Sequence, residues 1–351
     1  MLGPFVEVFS YLKKSNEKTE KQSAGNASYK FLVFLRHSKN FISIYNSIMK
    51  QNNNSGSSET IRKTPRFDFD NFYKYGHADH VPRIDESFLE WFIGFFEGDG
   101  CFSIGKDQRF YLTLGQKEKQ ILSLIYETFG VGSICSDSKK NGELYWQWRV
   151  CSKSGLNSFA VLFFNNLVLK KRQTQFLNWL KQGKQNGLFC NFPVFQPKQP
   201  KIGLNDAWLS GFIDAEGCFY ARVSIKTKHT KNLTVKFYQT FSLKQSTTFL
   251  SDQIFFKKIL VLFKSSSNVF YFKPKHKNSY LSIQLASKKS HKILIDYLFH
   301  YKLKTTKYIS FRRWWRIYLL KKKNKQKFVD ENLSQKSWTK IQRLAQSINK
   351  H

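Results

Sequence analysis

The sequence predicts an α+β protein built from two similar domains, and three features of the chain lead to this prediction. Helix-like apolar segments are interspersed with short segments in which apolar and polar residues alternate. The segment WLSGFIDAEGCFYARV repeats FIGFFEGDGCFSI in order and spacing. Three prolines occur between the two copies, in NFPVFQPKQPKIGLN, and proline disfavours both helices and central strands. The chain is therefore an internal duplication of a domain-sized unit of about 110 residues.

The first copy reads as helix, two strands, helix, strands and helices. Its opening helix, FLEWFIGFFEG, starts at Phe88 and runs into Asp99-Gly100, where glycine suits the end of a helix. The strands are Arg109–Gly115 and LYWQWRVC, and the later helices are EKQILSLIYETFG, SGLNSFAVLFFNN and KKRQTQFLNWLKQ. After the second motif we expect strand, strand, helix, strand and helix, in CFYARVSIKTK, LTVKFYQTFSLKQ, DQIFFKKILVLF, SYLSIQLASKK and KILIDYLFHYKLKTTKYISF.

The 351-residue chain divides into five predicted segments. Its first 80 or so residues contain the polar tract QNNNSGSSET and have no sustained hydrophobic period, so we expect a partly disordered extension or one derived from an upstream reading frame. In order, the segments are the extension (1–83), the first domain (84–190), a proline-rich linker (191–206), the second domain (207–320) and a basic tail (321–351).

The charge of the chain points to a polyanionic partner. Lys and Arg total 58 against 24 Asp and Glu, a formal net charge of +34. An A/T-rich gene would favour Lys, Asn, Phe, Ile and Tyr codons, but it would not explain the shortage of acidic residues. Nucleic acid, bound through its phosphates, is therefore the favoured partner.

Other classes of protein are disfavoured. No apolar run approaches the roughly 18 residues needed to cross a bilayer, and neither a secretory signal nor an acid-poor transit peptide is evident. An organellar location is therefore expected to come from synthesis inside the organelle. The five cysteines form no CxxC pair, so we expect free thiols and no zinc site: Cys101, Cys135, Cys151, Cys190 and Cys218.

Small residues recur four positions apart in both motif helices, at Gly94 and Gly98 and at Gly211 and Ala215. Residues four apart share one face of a helix, and facing stripes of small residues let two backbones approach closely. If the helices cross through these stripes, their C-terminal ends meet. This arrangement would bring Asp99 and Glu216 side by side.

Two carboxylates at helix C-termini face each other and the negative ends of two helix dipoles. A divalent cation such as Mg²⁺ relieves this repulsion, since it binds one or two protein carboxylates together with water and substrate phosphates. A single acid in this position would indicate only a solvated helix end, but two matching acids favour a metal site. Glu97 and Asp214, two residues earlier, are expected to be structural, with indirect contact to the metal as the alternative.

The segments FIGFFEGDG (92–100) and LSGFIDAEG (209–217) resemble the paired motifs of the LAGLIDADG homing endonucleases, and the resemblance covers about residues 84–320. It implies two αββαββα domains, saddle-shaped antiparallel sheets lying in the DNA major groove, and motif helices packed at the domain interface. It also implies Mg²⁺-dependent cleavage, with Mn²⁺ as a substitute, that leaves short 3′ overhangs. The first motif departs from the family in having Gly98 where Ala is common, and Phe95 and Phe96 at large apolar positions.

The resemblance also implies roles for individual residues. Asp99 and Glu216 match the metal ligands. Gln116 and Gln245 match strand-end residues that order water near the metal. Lys170 and Lys304 match basic residues near the scissile phosphate, with a solvated basic helix face as the alternative.

The polar faces of four predicted strands carry the candidate DNA-binding residues. In the second domain this face has no acid, whereas an ordinary solvated face mixes both signs of charge. The candidates are Arg109, Tyr111, Thr113, Tyr145, Gln147, Arg149, Tyr220, Arg222, Ser224, Lys226, Lys228, Lys236, Tyr238, Thr240, Ser242 and Lys244.

The function expected from the sequence is a monomeric, intron-encoded endonuclease that cuts double-stranded DNA in a mitochondrion, with a chloroplast as the alternative location. Two rival functions remain open. One is a maturase that helps its host intron RNA to fold, and the other is a DNA-binding regulator without catalysis. Both rivals are disfavoured because both motif acids are present.

Overall fold

The computed structural model describes residues 67–78, 80–138, 142–189, 200–227, 233–246, 250–273, 279–323 and 335–350. Its described strands form two four-stranded antiparallel sheets with the orders β1-β2-β4-β3 and β5-β6-β8-β7. The same strand order in both sheets confirms the predicted α+β duplication. None of the described helices is long and apolar enough to span a membrane.

The first half of the described chain has two helices, two strands, one helix, two strands and two helices. In chain order these are α1 (Asp70–Tyr75), α2 (Glu86–Asp99), β1 (Gly100–Ile104), β2 (Phe110–Gln116), α3 (Lys119–Phe129), β3 (Ser133–Ser138), β4 (Leu144–Val150), α4 (Lys153–Phe163) and α5 (Lys170–Gln185).

The second half repeats this succession from the motif helix onward. Its elements are α6 (Trp208–Glu216), β5 (Gly217–Thr227), β6 (Leu233–Ser246), α7 (Leu250–Leu262), β7 (Phe270–Phe272), β8 (Tyr280–Leu285), α8 (Lys288–His300), α9 (Lys307–Lys323) and α10 (Gln335–Ser347).

Three elements differ from the sequence-based expectation. Helix α2 starts before Phe88, because the Asp85 side chain accepts hydrogen bonds from the backbone N–H groups of Ser87 and Phe88 and caps the helix. The three-residue strand β7 was not anticipated. The single helix expected after β8 is broken into α8 and α9 by residues 301–306, whose backbone is held by acidic side chains of other elements.

Aromatic residues dominate the core of the first half. Phe92 of α2 packs on Phe129, Phe159 and Trp148, with ring centroids 4.7, 5.7 and 6.0 Å away. The inward face of β2 alternates as expected, with Phe110, Leu112 and Leu114 buried. Each sheet thus covers its apolar face with helices and leaves the other face available to a ligand.

At both ends of the described chain, residues outside the predicted domain boundaries pack against the domains. Phe69 and Phe72 are buried beside α4, so ordered structure begins before residue 84. At the other end, α10 packs on α9 and β5 through the buried Ile341, although a basic tail was expected over 321–351. Amphipathic periodicity in QKSWTKIQRLAQS explains the difference, because its apolar stripe is buried against the second domain. Residues 1–66, 190–199 and 324–334 lie outside the described part, and they include most of the predicted extension and of the predicted linker.

The two motif helices α2 and α6 pack backbone to backbone at their glycines. A Cβ atom added to Gly94 would lie 2.0 Å from the Trp208 carbonyl oxygen, and one added to Gly211 would lie 1.8 Å from that of Trp91. Close to the helix ends, a Cβ on Gly98 would lie 2.2 Å from the Cβ of Ala215. The four small residues therefore form one continuous contact between the halves.

We expect Gly211→Ala to lower the free energy of unfolding by about 1–3 kcal/mol or more, because the new methyl group collides with backbone that cannot rotate away. Gly115→Ala is the matched control, since the nearest atoms to its Cβ would be 3.9 Å away. Urea unfolding of both variants measures the difference. Equal stability of the two variants would contradict the packing described here.

Candidate active site

The closely packed motif helices bring their last residues, Asp99 and Glu216, to one place. A Cβ on Gly98 would lie 3.3 Å from Cγ of Glu216, so the second acid lies directly against the end of the first helix. Strands β1 and β5 begin at the next residues, Gly100 and Gly217. The acids therefore lie where both sheets start.

Burial raises the pKa of both acids, and the charge of Asp99 adds to the rise at Glu216. Burial is the larger cause for Glu216, and the negative charge of Asp99 adds to it, so that its pKa rises to about 7. The pKa of Asp99 is also raised by burial, although a hydrogen bond from Gln116 opposes the rise. The pair thus holds negative charge at a free-energy cost that a cation would remove.

The two predicted glutamines differ in their contacts. Gln116 donates from Nε2 to Oδ2 of Asp99 at 2.7 Å. Gln245 occupies the matching place, two residues past the strand partner of the motif glycine, but its side chain is only 3% exposed and its Oε1 accepts no hydrogen bond within the described residues. The structure places Gln116 at the first acid and shows no bond from Gln245 to the second.

Two cations at the ends of the motif helices compensate the acids. Arg172 donates from Nε to the Glu97 carbonyl oxygen at 2.7 Å and from Nη2 to that of Gly98 at 2.8 Å. Lys307 donates from Nζ to the carbonyl oxygens of Ile213 and Ala215 at 3.2 and 2.7 Å. Both lie close enough to the two carboxylates to favour their ionised forms. Burial lowers the pKa of Lys307 itself.

Lys171 is the third cation near the pair. Its Nζ donates to the backbone carbonyl oxygen of Ser246 at 3.0 Å. Its positive charge favours the ionised form of Glu216, although burial and Arg172 lower the pKa of the lysine.

The structure does not bring the side chains of the predicted lysines Lys170 and Lys304 to Asp99 and Glu216. Lys170 is the first residue of α5 and is exposed. The Lys304 side chain lies near the start of α2, with Nζ 5.5 Å from the centroid of the Phe88 ring, and its charge interacts with Asp214 and, less strongly, with Asp85.

The register of two backbone anchors explains where these lysines lie. Glu97 accepts hydrogen bonds from the N–H groups of Val168 and Leu169, and Asp214 accepts those of Lys304 and Thr305. When the segment anchored by Glu97 is aligned with the segment anchored by Asp214, Lys171 matches Lys307. These two lysines lie near Asp99 and Glu216, one residue after Lys170 and three residues after Lys304. In the sequence, these basic residues are visible only as the KKR run at 170–172 and as the second lysine of KTTK at 304–307.

Glu97 and Asp214 hold the halves together, as the structural interpretation expected. Trp91 of the first helix donates from Nε1 to Asp214 at 2.8 Å, and Trp208 of the second donates from Nε1 to Glu97 at 2.7 Å. Both acids are buried, and burial raises the pKa of Glu97 to about 8. This reciprocal pair of bonds fixes how the two motif helices meet.

The outward faces of the sheets carry the candidate DNA-binding side chains. In the second sheet Tyr220 and Tyr238 are about half exposed, and Arg222 and Lys244 are exposed. Thr240 and Ser242 share this face, whereas the side chains of Ser224, Lys226, Lys228 and Lys236 lie outside the described residues.

The first sheet is less uniformly basic. Arg109 lies 3.4 Å from Asp107, and the Tyr145 hydroxyl donates to Asp137 at 2.9 Å. Arg149 donates to Gln147 and lies 5.3 Å from the Tyr111 ring centroid, and Thr113 pairs with Arg149 across strands. Acidic side chains thus accompany the basic ones on this sheet, whereas the described outward positions of the second sheet carry none.

The residues of the centre fit a hard cation. No group of three or more His, Cys, Asp and Glu side chains with metal-binding geometry occurs in the described part of the chain. Two carboxylates from separate helices, whose charges repel each other, are nevertheless the donor set that Mg²⁺ uses when substrate phosphates and water complete its shell. The described cysteines are free, and Cys101 and Cys218, which follow the motifs, are both exposed.

Comparison with known proteins gives matches over both halves. The family model described as LAGLIDADG endonuclease matches residues 92–182 and 209–318. The probable intron-encoded endonuclease 4 of Neurospora crassa is 33% identical over 68% of this chain, which spans 41% of the length of that relative. A cox1 intron-2 protein of Schizosaccharomyces pombe is 24% identical over 80% of each chain.

A more distant relative is the intron-encoded RNA maturase bI4 of Saccharomyces cerevisiae, 25% identical over 60% of this chain and 29% of its own. Among solved structures, the I-LtrWI LAGLIDADG homing endonuclease bound to target DNA superposes with a TM-score of 0.57 at 19% identity, over 76% of this chain and 99% of that one. The likeness shows the same fold. With both motif regions matched in order, the chain belongs to the LAGLIDADG endonuclease family.

Proposed function

We propose that this protein is a site-specific homing endonuclease that makes a metal-dependent double-strand break, with short 3′ overhangs, in a long DNA site and so drives intron mobility. The observation that carries the proposal is the meeting of Asp99 and Glu216, one from each motif helix, at the start of two sheets with polar outward faces. A break in both strands needs catalytic groups from both halves, and this centre supplies them.

Asp99 and Glu216 are the residues that would hold Mg²⁺, or Mn²⁺ in its place. When bound, such a cation supplies an activated water and stabilises the leaving oxygen of the phosphodiester. The chain provides the rest of the environment. Gln116 fixes the orientation of the Asp99 carboxylate through its 2.7 Å hydrogen bond. Lys307, Arg172 and Lys171 supply positive charge that stabilises the pentacoordinate transition state of the phosphodiester.

Binding of the long DNA site is assigned to the two outward sheet faces. The net charge of +34 supplies phosphate attraction that does not depend on sequence. The polar strand residues predicted from the sequence supply contacts to base edges, and a 14-residue strand such as β6 gives them reach along the groove. The two halves, about 84–190 and 207–320, act as the domains that each bind one half-site.

A maturase that binds its intron RNA is the second candidate function, favoured by the relative of that name in Saccharomyces cerevisiae. Both motif acids and their compensating cations are in place, which a protein acting only on RNA structure does not need. The relatives encoded in cox1 introns favour a mitochondrial location for this protein, and the paired halves within one chain favour a monomer.

We expect Asp99→Asn and Glu216→Gln each to reduce DNA cleavage to below about 1% of the wild-type rate, the order of loss seen when one group that stabilises transition-state charge is removed. The measurement is incubation with plasmid carrying the intronless version of the host locus, in Mg²⁺ and in EDTA. Binding of the same DNA is expected to persist in both variants and serves as the control for folding. Tight binding of intron RNA with no cleavage of such DNA would support the maturase function instead.

Four lysine variants test which lysines act beside the two acids, with Lys304 as the control for Lys307 and Lys170 as the control for Lys171. Lys307→Met and Lys171→Met should each slow cleavage by about tenfold or more, because positive charge near the scissile phosphate is lost. Lys304→Met and Lys170→Met should cleave close to the wild-type rate, since these side chains lie away from the acids. Single-turnover cleavage assays measure all four variants. Slower cleavage by Lys304→Met than by Lys307→Met would refute the placement of Lys307, rather than Lys304, beside the acids.

A further inference from the structure

The edge strand β7 carries three consecutive aromatic residues with most of their surface exposed. Phe270, Tyr271 and Phe272 are 56%, 58% and 52% exposed. Exposed apolar side chains grouped on an edge strand promote unwanted association unless they have a binding partner. Their grouping on the outermost strand of the second sheet therefore calls for a partner surface.

The strand register shows which of these rings face the DNA side of the sheet. Phe272 pairs with Tyr280 and Phe270 with Ser282, while Tyr271 pairs with the buried Leu281. Directly paired residues of an antiparallel sheet share a face. Phe270 and Phe272 thus extend the polar face of Lys244, which pairs with Ser282, and Tyr271 lies on the opposite face.

Contacts join the two rings to the basic face. The ring centroids of Phe272 and Tyr280 are 5.2 Å apart, and Nζ of Lys244 lies 3.8 Å from the centroid of the Tyr280 ring. The described positions on this face carry no acidic side chain. A polyanion can therefore approach the rings without repulsion.

A phenylalanine ring can neither donate nor accept a conventional hydrogen bond, which limits what it can recognise. The base edges in the major groove present donors and acceptors at every pair, and one apolar group, the C5 methyl of thymine. Phenylalanine rings that lie in the major groove therefore pack favourably on thymine methyl groups, whereas they leave the polar edges of the other bases without hydrogen-bond partners.

We propose that Phe270 and Phe272 contact thymine methyl groups and so specify thymine at one or two positions in the half-site bound by the second sheet. This inference rests on the proposed function, in which that sheet lies in the major groove of the DNA target. It adds two specificity-determining residues that the sequence patterns did not single out.

The first half lacks these aromatic residues, so the preference for thymine is expected only in the half-site bound by the second sheet. Its matching edge strand β3 reads SICSDS, and on the polar face Cys135 and Asp137 take the places of the two rings, paired with Gln147 and Tyr145. Cys135 and Asp137 offer the groove a thiol and a carboxylate. The thymine requirement is therefore confined to one end of the site.

The first experiment selects bound duplexes from a library of random-sequence DNA, using the full-length protein with Ca²⁺ in place of Mg²⁺. The wild-type protein should enrich one site with thymine at one or two positions in one half. The double variant Phe270→Ser/Phe272→Ser should enrich the same site with those positions randomised. Tyr271→Ser is the matched control, because it removes an equally exposed ring from the other face, and it should select as the wild type does.

The second experiment replaces each selected thymine by deoxyuridine, which removes only the methyl group. Wild-type binding should weaken by roughly fourfold for each buried methyl lost. The double variant should bind thymine and uracil duplexes equally.

The outcomes separate this inference from the proposed function. If the wild type enriches no duplex sequence, the proposed function fails and the inference fails with it. If it enriches a site but the double variant keeps the same thymine preference, or uracil binds as well as thymine, only the inference is overturned. It is equally overturned if the double variant selects duplexes as the wild type does but loses binding to single-stranded RNA, which would make the rings a stacking surface for RNA bases.

Discussion

The backbone contact between the two motif helices is the constraint on which the rest of the structure depends. At Gly94 and Gly211 each helix lies against a backbone carbonyl of the other, and no larger residue fits there. Trp91 and Trp208 complete the contact by donating to the buried acids Asp214 and Glu97. Because those acids also hold the backbone of the segments leading into α5 and α9, the helix contact sets the positions of the cations as well.

The contact between the motif helices also concentrates negative charge at their C-terminal ends. Both motif helices end at the same place, so two carboxylates and two negative dipole ends converge. Arg172 and Lys307 bind the last carbonyl groups of the helices and offset part of the charge, but the pKa of Glu216 remains raised to about 7. Sites tuned for function commonly lower stability in this way. A divalent cation, which also binds substrate phosphates, brings the positive charge that the chain alone does not supply.

Much of this could be predicted from the sequence because it follows from local patterns. The duplication, the small-residue stripes and the paired acids are all visible in the motif segments, and alternation in the strands correctly assigned the buried side of β2. The positions of the lysines could not be predicted, because they depend on where Glu97 and Asp214 anchor segments some 70 to 90 residues away. The different surroundings of Gln116 and Gln245 were equally invisible, since both stand at matching strand positions. Strand β7 has only three residues, too few to show a period.

The central claim is that Glu216 lies buried beside Asp99 at a centre that binds a cation. Its most direct test is thermal unfolding as a function of pH, compared between the wild type and Glu216→Gln in EDTA. The folded-state pKa of Glu216 is raised above its ordinary value of 4.5, so its contribution to stability is present below about pH 4.5 and is lost as pH rises through about 7. The account predicts that the wild type loses stability relative to Glu216→Gln over this range, and that Mg²⁺ restores it. A constant difference between the two proteins from pH 4.5 to 8, unchanged by Mg²⁺, would contradict the claim that Glu216 lies buried at a centre that binds a cation.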